Sequence, residues 1–198
     1  MDARYRHVLW TVLALNFAMF AVEIGAAVAA GSASLLADAI DFLGDAGNYG
    51  LSLFVLGMAL HVRAKAALIK GITMALFGLW VLGSATWHAL QGTLPDAMTM
   101  GVVGTAALLV NVTCFGLLWA FRGGDSNMRS VWLCSRNDVL GNFAVLLAAL
   151  GVFGTSSGWP DVIVAAIMGS LALQGAWIVM RQATGELRDA RPQLSAAE

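Results

Sequence analysis

Apolar residues run almost unbroken through six stretches of this chain, at about 8–30, 33–60, 66–88, 97–121, 130–153 and 160–180, separated by short polar breaks. Each stretch is long enough to cross ~30 Å of hydrocarbon as a helix. The pattern therefore predicts an all-α fold, a six-helix transmembrane bundle. Pro95, Pro160 and Pro192 all lie at run boundaries, where a helix tolerates them. The polar positions inside this background are ordered. In Leu35–Ser52, residues Asp38, Asp41, Asp45, Asn48 and Ser52 fall on one helical stripe, and the other faces read Leu, Ile, Phe and Ala. A carboxylate in hydrocarbon costs about 2.5–3.5 kcal/mol on insertion scales. Three on one stripe are hard to retain unless they face a cation, a water-filled path or one another.

Composition agrees with a membrane domain. The chain is 59% hydrophobic and 12% charged over 198 residues, whereas soluble domains are nearer 45–50% and about 25%. The excess is spread along almost the whole length, so we expect one transport domain at 1–181 and a short cytoplasmic tail at 182–198. The first apolar run is too long for a cleavable signal peptide. Cys114 and Cys134 both fall inside apolar runs and do not suggest a disulfide framework. Nothing points to nucleic acid.

Net charge is only -1, but the charges are segregated. With six spans, all eleven Lys and Arg lie on one side: Arg4, Arg6, Arg63, Lys65, Lys70, Arg122, Arg129, Arg136, Arg181, Arg188 and Arg191. The opposite loops carry Asp96 and Asp161. The positive-inside rule then puts both termini in the cytoplasm, and a five- or seven-span chain would scatter the basic residues. Tryptophans 10, 87, 119, 132 and 159 lie near span ends, as an interfacial belt would, or by chance in so apolar a chain.

Each polar residue within a span has two readings. Asn16 and Glu23, seven apart, share a face of the first span; they serve inter-helical hydrogen bonding or line a hydrophilic path. Asp41 and Asp45 are i and i+4, so both can meet one ion. Asp38, near the helix start after Ser32 and Ser34, is favoured there by the helix dipole and reads as a structural or entrance residue. Asn111 serves packing first and path lining second. In the fifth span Cys134, Asp138 and Asn142 share a face, and Asp138 meets Asp41 and Asp45 near mid-membrane if spans two and five pack together. Cys134 is then either a ligand or a small buried hydrophobe. Asp41, Asp45, Asp138 and Cys134 would offer oxygen and sulfur donors suited to a tetrahedral divalent ion such as Zn²⁺; thiolate softness also admits Cd²⁺.

These residues, with GSASLLADAIDFLGD at 31–45, the segment 137–150 and WPD at 159–161, resemble the cation diffusion facilitator family of metal exporters over about 170 residues. The resemblance implies that Asp41 and Asp45 take the family's acidic pair and Asp138 its aspartate in the fifth span. Cys134 stands where the family usually has His or Asp. Asp38, Asn16, Glu23, Asn48, Asn111 and Asn142 would line the path. Members commonly carry a cytoplasmic metal-binding domain after the sixth span, and this chain stops about 18 residues beyond it. Its dimerisation and sensing roles are therefore not carried over directly, although a homodimer is still expected. The expected location is the bacterial inner membrane.

The expected activity is export of a divalent transition metal, Zn²⁺ first and Cd²⁺ or Co²⁺ next, in exchange for protons by alternating access. Three or four anionic ligands in an empty low-dielectric site should hold protons, and metal displaces them. The ion is cargo, and no permanent cofactor is expected. Two alternatives are a non-transporting metal sensor or accessory subunit and a proton-coupled exporter of organic cations. An enzyme is not expected, because no catalytic companion motif or cofactor fingerprint accompanies the aspartates.

Overall fold

The computed structural model describes residues 3–54, 60–122 and 126–195. They form six helices and no strand: α1 (Ala3–Ala30), α2 (Ala33–Phe54), α3 (Leu60–Gln91), α4 (Ala97–Trp119), α5 (Ser126–Thr155) and α6 (Trp159–Ser195). Five are long and apolar enough to cross a membrane. The exception is α2, an otherwise apolar 22-residue helix that carries Asp38, Asp41 and Asp45. At 1.5 Å per residue it is still about 33 Å long. Leu76, Leu79, Val102, Leu109 and Leu147 are exposed on the outside, an apolar surface that suits lipid rather than water. α6 continues as helix into the segment expected as a tail.

The helices pack in pairs. α1 lies along α2, α4 along α5 and α3 along α6; α1 also meets α4, and α2 touches α3, α5 and α6. α2 is thus surrounded, which explains how its carboxylates are shielded. The α3–α6 contact runs through small residues. A Cβ on Gly169 would lie 3.0 Å from Leu82 Cδ2, and one on Gly78 would lie 3.0 Å from Leu173 Cδ2. Among the described tryptophans, Trp10, Trp87, Trp119 and Trp159 are exposed near helix ends. Trp132 instead stacks on Phe115 at 5.8 Å and meets Trp119 edge-on at 5.9 Å.

Three short corners share one end of the bundle. α1 and α3 stop at Gly31 (φ 63°) and Gly92 (φ 64°), whose left-handed backbone lets Ser32 N–H reach Ala27 O and Thr93 N–H reach His88 O. The Asp96 N–H then bonds Ala30 O at 3.0 Å, tying the α3–α4 corner to α1. Asp96 caps α4; the Thr99 hydroxyl and then the Met98 N–H hold its carboxyl below the usual carboxylate range. Corners α1–α2, α3–α4 and α5–α6 therefore lie together, as alternating passes of the chain require.

The third tie belongs to Asp161, a loop charge on the sequence pattern but fully buried in the fold. Its Oδ2 accepts the Ala33 N–H at 2.8 Å, and its Oδ1 accepts the Ser34 N–H at 3.0 Å. The Ser32 and Ser34 hydroxyls donate to Oδ1 at 2.7 and 2.6 Å. Ser32 Oγ accepts the Leu35 N–H and Ser32 O the Leu36 N–H. All four orphan N–H groups at the start of α2 are satisfied, two of them by a carboxylate from α6. This ion-to-helix knot sets the position of α2. Replacing Asp161 by Ala leaves two buried N–H groups and two hydroxyls without their acceptor. With each such loss worth about 1–3 kcal/mol, the expected result is a thermal midpoint in detergent lowered by several degrees, with Asp161→Asn losing less.

Candidate functional site

The acidic stripe of α2 does not act as one unit. Its members are separated by three and four residues, so they point up to about 60° apart around the axis. Asp38 is 1% exposed, and its Oδ1 accepts Asn142 Nδ2 from α5 at 2.9 Å. It lies beyond the first turn; the anion at the helix start is Asp161. Asp41, one turn further, is exposed into a cavity of about 370 Å³ bounded by α2, α3, α5 and α6. Asp45 is buried near Tyr49, whose hydroxyl is 3.5 Å from Oδ2, and near enough to Cys114 to act on it electrostatically.

α5 supplies the opposing acid. Asp138, 8% exposed, lines the same cavity as Asp41, so the structure brings together one carboxylate from each of two helices. Asn142, one turn on, donates also to Asp138 O at 3.2 Å and so braces that turn against α2. The remaining wall is small or soft: Gly44 and Gly141 leave room, Gly78 and Gly169 sit where α3 and α6 pack closely, and Met74 and Met168 bring thioethers. Two methionines in apolar runs read as packing, and only the three-dimensional arrangement puts them beside the acids.

Asp45 is not among the cavity-lining residues, and among the described residues no three His, Cys, Asp or Glu side chains group as a metal site. The side chain of Cys134 lies outside the described residues. The other path candidates divide. Asn16 is buried, donating to Val12 O at 2.8 Å and to Cys114 Sγ at 3.4 Å. Cys114 therefore serves as a hydrogen-bond acceptor as well as core. Glu23 is fully buried and faces Asp38. Asn111 is on the buried side of α4, and Asn48 is half-buried on α2.

A membrane-length bundle with two intramembrane carboxylates across one cavity fits a cation carrier. The family model for the cation efflux transmembrane domain matches residues 9–187. The chain belongs to the cation efflux family. Among relatives, it is 28% identical over 185 residues to the zinc transporter ZitB of Yersinia pestis, covering 82% of this chain and 56% of that protein. It is 21% identical over 192 residues to the metal cation efflux system protein CzcD of Cupriavidus metallidurans, covering 91% and 61%. It is 25% identical over 134 residues to a cadmium, cobalt and zinc/H(+)-K(+) antiporter of Bacillus velezensis, covering 64% and 41%. The chain thus spans about three-fifths or less of these relatives. It carries the transmembrane domain of that family, and these relatives are named as transporter, efflux protein and antiporter.

Proposed function

We propose that this chain moves a divalent transition metal out of the bacterial cytoplasm across the inner membrane in exchange for protons, with Asp41, Asp45 and Asp138 as ligands and Cys134 as the fourth. The observation that carries this reading is the shared cavity of Asp41 and Asp138. The names of the relatives support Zn²⁺ first, with Cd²⁺ and Co²⁺ as neighbours, and one relative's name includes H⁺ as a counter-ion. Among the described residues the cavity lining holds no aromatic ring, which disfavours an organic cation, normally recognised by an aromatic cage.

Binding M²⁺ between carboxylates requires them ionised, so loading and proton release are one event. Asp45 joins by a modest turn of α2, which would bring its carboxylate one helical turn below Asp41 towards the cavity. Alternate exposure of the site to the two sides follows from rocking of the helix pairs. Both termini face the cytoplasm in this scheme, supported by the basic residues opposite the Asp96 and Asp161 corners. The test is Zn²⁺ uptake into inside-out vesicles carrying an acid interior. Wild type is expected to accumulate Zn²⁺ in proportion to the pH gradient, and Asp45→Ala to lose it. Equal uptake by Asp45→Ala would sink the three-carboxylate mechanism.

A further inference from the structure

Glu23 is the buried acid for which the metal site has no use. It is 0% exposed on α1, and among the described residues no N–H or O–H group reaches either of its oxygens. Its carboxyl lies within hydrogen-bonding reach of the Asp38 carboxyl. Asp38 keeps one oxygen on Asn142 Nδ2 at 2.9 Å, while its other oxygen, Oδ2, has no N–H or O–H donor among the described residues. Two carboxylates are both acceptors and cannot bond each other. A hydrogen bond between them needs a proton, and bookkeeping puts that proton on Glu23, because Asp38 already has the Asn142 donor and Glu23 has none.

We propose that Glu23 and Asp38 form a proton-binding site distinct from the metal ligands, and that its proton leaves when a divalent cation settles beside Asp41 and Asp138. The groups facing Glu23 allow little else. α1 packs on α2 and α4. α2 presents Asp38, and Asp41 lies near enough to act on Glu23 electrostatically. α4 carries no charged side chain, and its one titratable group, Cys114, is engaged with Asn16. The described basic residues of α1, Arg4, Arg6 and His7, are four or more turns away along the helix. Among the described residues no cation therefore stands ready to neutralise Glu23, and a proton is the ligand whose size suits two neighbouring carboxyls. A metal ion at Asp41 cancels the negative charge that holds the proton in place, so loading the metal site empties the proton site.

The release half of this proposal rests on the metal-exporting reading, but the proton site itself does not. The test begins with infrared difference spectroscopy of the metal-free protein at neutral pH. Beside any protonated carboxyls of the empty metal site, wild type is expected to show one C=O component that is lost in Glu23→Gln and shifted in Asp38→Asn. The same component in Glu23→Gln and an unshifted one in Asp38→Asn would overturn the site. Zn²⁺ is then added while protons are counted with a pH indicator. Glu23→Gln is expected to bind Zn²⁺ within a few-fold of wild type but to release about one proton fewer per ion. Survival of that component in wild type at Zn²⁺ saturation would overturn the release. Absence of Zn²⁺ binding would sink the metal reading and leave the infrared result to decide the proton site.

Discussion

On the proposed mechanism, Asp41→Asn and Asp138→Asn are each expected to abolish metal transport while leaving the bundle at least as stable as wild type. Both side chains face the same cavity from different helices. An amide keeps their shape but removes the charge that a divalent cation needs. Loss of a residue that merely orients a metal ligand costs 10–100-fold, so loss of a ligand should exceed about 100-fold. The stability change has the opposite sign. A carboxyl inside the membrane must either stay charged, at about 2.5–3.5 kcal/mol, or take up a proton, and an amide escapes both costs. The measurement is paired: initial Zn²⁺ flux in proteoliposomes, and the thermal midpoint of the same preparations without metal. Flux lost together with stability would mean that the aspartates hold the fold. Flux retained in either variant would remove that residue from the site.

Gly44→Leu and Gly141→Leu should stop transport just as completely, for a steric reason. Both glycines line the cavity, Gly44 one turn from Asp41 and Gly141 one turn from Asp138. A Cβ at Gly44 meets nothing within 4 Å, and one at Gly141 meets only Met168 Cε at 3.9 Å. A larger side chain at either position therefore has open space at the cavity wall and need not push helices apart. Replacing a mid-helix glycine also gains about 0.5–1 kcal/mol of backbone stability. The expectation is a flux drop of at least about tenfold with an unchanged or raised thermal midpoint, since overpacking would instead cost 1–3 kcal/mol. Gly169→Leu is the control. Its Cβ would crowd Leu82 and Val81 at 3.0–3.2 Å, so it should lose stability as well as flux. Full flux in Gly44→Leu and Gly141→Leu would show that ions do not pass through this cavity.

The helices were legible because hydropathy and charge are local signals. The expected runs begin or end within a few residues of the helices at the corner end, where Gly31, Gly92 and Asp96 punctuate the chain. The pairing of Asp41 with Asp138 was legible too, since each is an acid in an apolar run and needs a reason to be there. The division of labour along α2 was not. Spacings of three and four look like one stripe on a wheel. Yet Asp38 turns to Asn142 and Glu23, Asp41 to the cavity and Asp45 to Tyr49. Which neighbour each one meets depends on helix packing, which periodicity does not encode. Asp161 was hidden for the same reason: its partners, Ser32, Ala33 and Ser34, are 127–129 residues away in the chain.

The central claim is that acids from α2 and α5 hold one divalent ion between them. Anomalous X-ray diffraction at the zinc edge, from crystals of the Zn²⁺-loaded protein, tests it most directly. The account predicts a single strong peak in the α2–α5 cavity, with carboxylate oxygens of both Asp41 and Asp138 at about 2.0–2.2 Å. A peak bounded by one helix only, or one at the bundle surface with the cavity empty, would contradict it.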